Sequence, residues 1–286
     1  MDKELFDIDD NEIRVVGRTS PEGGKPQPKR RWWLWLLTAL LLIVLAVVCW
    51  QVIHRPSQSP SIYQQEVVVD TTQDVTYEAQ AETKAYTQVS NQTVNDIALQ
   101  IYTPVGGRVE LLVGQLPYDD KSIILAAQAA DYRADNGEIA GAFVYRGELL
   151  SKGHPKYGFC AIIGDKITMG MSRETALFER AVEQEGYFFR QFSLVHDGKF
   201  GESLPKGKAI RRALCYCQEN IVIIESQERE SLHDFSQALI DLGVQEAISL
   251  VGSIELSLYE DEAGNRVINE TEHRENAQET YIVWRK

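Results

Sequence analysis

Residues 210–253 read IRRALCYCQENIVIIESQERESLHDFSQALIDLGVQEAISLVGS, and their periodicity decides the fold. Ile210–Cys217 and Ile221–Glu225 are short runs rich in β-forming side chains, separated by a tight Glu219-Asn220 turn. Ser231 with Asp234 makes a capping-box-like start for a helix over 231–242. Leu232, Phe235, Leu239 and Leu242 form its buried stripe, and Gly243 stops it. Ala247–Leu250 then reads as an apolar strand. A hairpin, a helix and a returning strand follow one another within 44 residues.

Outward from this unit the same punctuation recurs. Ile97–Tyr102, Val109–Val113, Ser122–Ala127, Ile139–Tyr145, Phe159–Ile163, Lys166–Met169 and Tyr187–Val195 read as strands, as do Ile254–Tyr259, Arg266–Ile268 and Tyr281–Trp284. Ser172 is placed to cap a helix running to Glu185, with Leu177, Phe178, Ala181 and Val182 inward. The sum is about ten strands and two main helices, an α+β fold with a mixed β-sheet over residues 96–286. Residues 56–65 form a Pro/Ser/Gln spacer, and 66–95 alternate apolar and polar residues. The segment 54–95 therefore reads as a linker or stalk, with strands inside it left open.

Residues 32–53, WWLWLLTALLLIVLAVVCWQVI, carry no charge and are long enough for a single N-terminal transmembrane helix. Trp32, Trp33, Trp35 and Trp50 lie near its ends, where indoles favour the lipid interface. Lys25, Lys29, Arg30 and Arg31 precede it and only Arg55 follows closely. The positive-inside rule then expects a signal anchor in contact with membrane lipid, with a cytoplasmic N-terminus and a periplasmic or extracellular C-terminal domain. Residues 1–31 lack the apolar content for a core and are expected to form a disordered cytoplasmic tail.

Charge narrows the function. The 286 residues carry a net −13; residues 1–56 hold 8 bases and 7 acids, the remainder 21 and 35. An acidic domain of this kind argues against nucleic acid as a partner. Cys160, Cys215 and Cys217 have neither disulfide logic nor zinc spacing, and the five histidines are scattered. No metal or cofactor is implied. P-loop, G-x-G-x-x-G, H-E-x-x-H, G-x-S-x-G and C-x-x-C motifs are absent.

One longer pattern is more informative. Gln128-Ala-Ala-Asp-Tyr132 precedes Asn136-Gly137-Glu138 and Gly141; Phe192-Ser-Leu-Val-His-Asp-Gly-Lys199 follows. Then come Arg211-Arg-Ala-Leu-Cys215, the strand to Glu225, and Gly243 through Leu250-Val251-Gly252-Ser253. This order resembles the phosphodiester glycosidase family, whose members include N-acetylglucosamine-1-phosphodiester α-N-acetylglucosaminidases, over about residues 97–255. The resemblance implies a ligand site at Gln128, Tyr132, Arg211, Val251, Gly252 and Ser253, with a glycan or sugar phosphodiester as partner. Gln128 stands where the family has Asn, Arg211 takes the place of the family's Arg, and Leu250–Ser253 takes that of Leu-Asp-Gly-Gly.

Val251 replaces the family's Asp and has no acid–base capacity, while cleaving a glycosyl phosphodiester needs a carboxyl. Arg211 and Arg212 alternate faces, so one of them is available to an anion. Three readings stay open: a degenerate, non-catalytic glycan or phospho-glycan binder of the cell envelope; an active hydrolase of a sugar-1-phosphodiester, with Arg211 gripping phosphate and Glu225 as acid; and a scaffold in an envelope complex. Whether the chain is an enzyme is not decided by its residues.

Overall fold

The 210–253 stretch folds largely as its pattern dictates. In the computed structural model, which describes residues 74–78, 84–153, 155–252, 256–269 and 279–286, the hairpin turns at Gln218-Glu219, one residue early. Both turn residues have positive φ, 49° and 63°, matching the right-handed twist of the flanking strands. The helix begins after Ser231, whose hydroxyl accepts from the Asp234 N–H, and ends at Gly243 in the left-handed conformation with φ 93°.

In chain order the strands are β1 Val75–Glu78, β2 Tyr86–Val94, β3 Ile97–Val105, β4 Arg108–Val113, β5 Ile123–Gln128 and β6 Phe143–Tyr145. Next come β7 Glu148–Ser151, β8 Gly158–Ile163, β9 Lys166–Met171, helix α1 Ala176–Glu183, β10 Tyr187–Gln191, β11 Ser193–His196 and β12 Lys199–Phe200. The chain closes with β13 Lys208–Cys217, β14 Asn220–Ser231, helix α2 Leu232–Leu242, β15 Val244–Leu250, β16 Leu258–Glu260, β17 Arg266–Ile268 and β18 Thr280–Arg285. They form a six-stranded sheet (β1-β9-β8-β10-β6-β7), a seven-stranded sheet (β12-β11-β15-β13-β14-β3-β2) and a five-stranded sheet (β17-β16-β5-β18-β4). Among the described residues the strand pairings within these sheets are antiparallel.

The three sheets turn one face each onto a shared core. Phe143 and Phe189 come from the first, Leu214 and Ile223 from the second, and Leu111 and Ile282 from the third. The outer face of the first sheet is covered by α1 through Ala181, with Leu177 and Phe178 packed on Phe188 and Phe159. The outer face of the second is covered by α2 through Phe235, Ala238 and Leu239. Leu116 and Tyr118 close over Ile123 and Tyr281 of the third. Alternating side chains on each strand feed one core and then the other.

This architecture corrects the α+β reading. Strand accounts for 55% and helix for 10% of the described chain, in three sheets. The two helices exist, but each is a short cover over a sheet rather than a layer of the fold. More strands form than the pattern expects: β1 and β2 lie in the ambiguous 66–95 stretch, β7 and β12 fall between expected strands, and Tyr187–Val195 breaks at Phe192 into β10 and β11. Helix α1 starts late, capped by Thr175 rather than Ser172; Ser172 instead hydrogen-bonds the Glu174 carbonyl at 2.9 Å. The single-pass topology, with its cytoplasmic N-terminus and extracytoplasmic domain, is likewise corrected. Among the described residues no helix is long and apolar enough to cross a membrane, and the segments 1–31 and 32–53 lie outside the described residues.

The last strand is tied in electrostatically. Arg285 pairs with Glu110 of β4 and with Asp120, which also accepts from the Ser122 N–H at 2.9 Å and hydroxyl at 2.7 Å. The Arg285 guanidinium first, and Ser122 second, hold the Asp120 carboxyl down to about 2 from an ordinary value of 3.8. A depressed carboxyl stabilises the fold fully above its unfolded value and loses that contribution as pH falls toward its folded value. Asp120→Asn is therefore expected to flatten the loss of stability between about pH 4 and pH 2. The difference is at most about 1 kcal/mol for so exposed a pair, measured by urea denaturation across that range. The α2 face gives a larger effect: Phe235→Ala is expected to lower unfolding free energy by about 3–5 kcal/mol, and Phe200→Ala, at an exposed side chain, by under about 1 kcal/mol.

Candidate functional site

The seven-stranded sheet presents a polar row to the shared core. Leu250 of β15, Arg212 of β13, Glu225 of β14 and Gln100 of β3 lie side by side in register. Arg212 shares its face with Leu214, and is among the largest fully buried side chains, at 1% exposure. Its Nε donates to Glu225 Oε2 at 2.7 Å, Nη2 makes a second bond to the same oxygen, and Nη1 reaches the Val251 carbonyl at 2.8 Å. A buried guanidinium needs such a match, because an unpaired charge away from water is expensive.

Tyr102 and Tyr259 stand against this pair, with ring centroids 5.4 Å apart. The Tyr102 hydroxyl donates to Gln100 Oε1 at 2.6 Å. Burial, and next the negative charge of Glu225, push the Tyr102 hydroxyl far above the ordinary tyrosine value, so it remains a neutral donor.

The ends of β5 and β15 complete the site. The Val251 N–H donates to the Gln128 carbonyl at 3.3 Å, bridging the five- and seven-stranded sheets. Gln128 is 5% exposed and Val251 half-buried. Gly252 passes so close to β13 that a Cβ there would collide with the Ile210 carbonyl oxygen. Its lack of a side chain serves this backbone crossing. Ser253 lies outside the described residues. Tyr132 sits four residues past Gln128 in a turn closed by its bridge to Ile139.

Of the residues singled out in the sequence, Val251 meets the Gln128 backbone and is linked to Glu225 through Arg212, the Gln128 side chain shares the Tyr281 face of the five-stranded sheet, and Arg211 does not join them. Its Nε and Nη2 donate to the Glu230 and Gly207 carbonyls, and its N–H to Ser226 Oγ at 2.9 Å. The cause is a bulge: between the Ile210–Arg229 and Arg212–Glu225 pairs, three residues of β14 face the single Arg211. Ser226 fills the bulge, accepting from Arg211 and donating to the Glu228 carbonyl at 2.8 Å. Strand alternation put the two arginines on opposite faces, but only the register says which faces inward.

A second group was not legible in the sequence. Lys156, ahead of β8 and 8% exposed, donates to Gln191 Oε1 at 2.6 Å and Asp131 Oδ2 at 3.1 Å. Its ammonium lies 4.8 Å from the Phe192 ring centre. The Ser249 N–H donates to the Phe192 carbonyl at 2.8 Å. Contacts thus run from Asp131 through Lys156, Gln191 and Phe192 to Ser249 of β15, two residues before Val251. Neighbouring Arg190 is structural: its guanidinium clamps the carbonyls of Lys156, Tyr157, Ser172 and Arg173.

Sheet pairing also assembles donors that the sequence scattered. His196 Nδ1 lies 2.8 Å from Glu246 Oε1, the Asp197 N–H donates to that same oxygen at 3.0 Å, and one donor atom from each side chain falls within 4.8 Å of the others. Burial raises the Glu246 carboxyl, opposed by the Asp197 N–H and by His196. The shared oxygen is already occupied twice, so a divalent cation there has to displace existing bonds.

No protein-family model and no curated protein matches the chain. Solved structures do. The catalytic domain of zebrafish N-acetylglucosamine-1-phosphodiester α-N-acetylglucosaminidase, auto-inhibited by its pro-peptide, is similar at a TM-score of 0.51 and 14% identity, over 74% of this chain and 88% of that one. A hypothetical protein from Synechocystis matches at a TM-score of 0.43 and 12% identity, over 70% of this chain and 62% of that one. The likeness to the zebrafish domain is one of fold, and it is distant.

The ion pair sets the expected mutational signature. Arg212→Ala strands Glu225 in the core and is expected to cost about 3–5 kcal/mol in denaturant unfolding, against about 1 kcal/mol for Arg211→Ala.

Proposed function

We propose that this domain binds a glycan or phospho-glycan at the converging ends of β5 and β15 and does not hydrolyse it. The observation that carries the reading is the use to which Glu225 is put. Among the described residues it is the carboxylate bonded to Arg212, and its Oε2 accepts from two nitrogens of that guanidinium. That oxygen is occupied by the guanidinium and is not placed to serve a leaving group. Val251 supplies only its backbone there: an N–H spent on Gln128 and a carbonyl spent on Arg212.

The ligand class is argued from the site and from the fold. The Lys156 ammonium, set beside the partly buried Phe192 ring near the end of β15, offers a cation and an aromatic face, groups that hold phosphoryl oxygens and sugar faces. The distant likeness to a sugar-phosphodiesterase catalytic domain favours the same class.

Titration calorimetry of the full chain with N-acetylglucosamine 1-phosphate is expected to show binding. An aryl phosphodiester of N-acetylglucosamine is expected to stay intact at high protein concentration. Turnover of that diester removes the non-catalytic part of the reading; no binding of the sugar phosphate removes the ligand.

A further inference from the structure

The buried lysine beside this site has more donors than acceptors. Lys156 Nζ carries three protons and meets two acceptors, Gln191 Oε1 and Asp131 Oδ2. Gln191 is 1% exposed, and its Nε2 has no hydrogen-bond partner. Its orientation is locked, because a flipped amide would point Nε2 at the ammonium. The two polar atoms of an amide head are about 2.3 Å apart, which places Nε2 within about 5 Å of Nζ. Orphaned buried donors are uncommon in native folds and call for a missing acceptor.

Asp131 is the weak member of the group. Its side chain is 49% exposed while that of Lys156 is 9% exposed. The carboxylate reaches in from the solvent side and occupies the ammonium, as a mobile anion would. The Phe192 ring lies 4.8 Å from the same ammonium.

We propose that Lys156 Nζ and Gln191 Nε2 form a cradle for one phosphoryl group, and that the Asp131 carboxylate occupies it until a ligand phosphoryl group takes its place. A phosphoryl group presents several acceptor oxygens with a spacing that bridges two donors this far apart, and it carries more charge than the carboxylate it displaces. The cradle deepens the ligand reading above and rests on it. It makes the phosphate of a phospho-glycan, rather than the sugar alone, the selected feature, and it assigns that selection to Lys156 where the family pattern pointed to Arg211.

The test uses the full chain and three probes in calorimetry: inorganic phosphate, N-acetylglucosamine and N-acetylglucosamine 1-phosphate. Wild type is expected to bind both phosphate-bearing probes more tightly than the neutral sugar. Asp131→Asn, at a half-exposed side chain, is expected to tighten both about fivefold by removing the competing anion. Lys156→Met, checked for its fold by circular dichroism, is expected to lose phosphate binding and keep binding of the neutral sugar. If the sugar phosphate binds wild type but Asp131→Asn and Lys156→Met leave its affinity unchanged, the cradle is wrong and the ligand reading stands. If neither phosphate-bearing probe binds wild type or Asp131→Asn, both fail.

Discussion

A guanidinium–carboxylate pair lies between two sheets, away from water, and the surrounding strands must hold their register to keep it there. Arg212 and Glu225 face each other across β13 and β14, and the third arm of the guanidinium ends on the Val251 carbonyl. Slipping β13 by one residue would turn Arg212 out of the core and away from the Val251 carbonyl and Glu225 that now meet it. The bulge at Ser226–Glu228 takes up the mismatch in strand length and leaves the pair intact. Register, bulge and ion pair are one constraint seen at three scales.

That constraint also shapes the site. The residues that make the fold possible at the end of β15 are the residues a ligand would meet. Gly252 is bare because β13 passes beside it. The Val251 peptide is spent at both ends on Gln128 and Arg212. Glu225 is committed to the arginine. What is left unspent lies one step outward, in the Lys156 and Gln191 donors and the half-exposed Asp131. Rigidity lies inward and unused polar capacity outward.

Local signals were legible where the determinant was local. Ser231, the Leu232–Phe235–Leu239 stripe and Gly243 specify α2 within a dozen residues, and the structure keeps the cap and the stop. The α1 cap was misplaced because Ser172 and Thr175 carry the same chemistry, and only the path of the chain from β9 chooses between them. The site was legible in part. Val251 and the Gln128 backbone lie side by side and Val251 reaches Glu225 through Arg212, whereas the inward arginine depended on register and Lys156 had no signal at all. A lysine after a proline in Gly-His-Pro-Lys reads as surface loop; burial by Phe192 and Gln191, 35 residues away in sequence, makes it otherwise.

By itself the sequence determined its net acidic charge and the elements that depend on neighbours a few residues away: the hairpin over 210–225, the capped helix and the turn glycines. Tertiary structure alone decided that β-sheet dominates, because three sheets share one core and each short helix is merely a cover. It also decided which arginine is buried, which carboxylate is spent and which lysine is held ready. Those choices rest on pairings between residues 13 to 150 positions apart, and side-chain periodicity names two faces without saying which one water will reach.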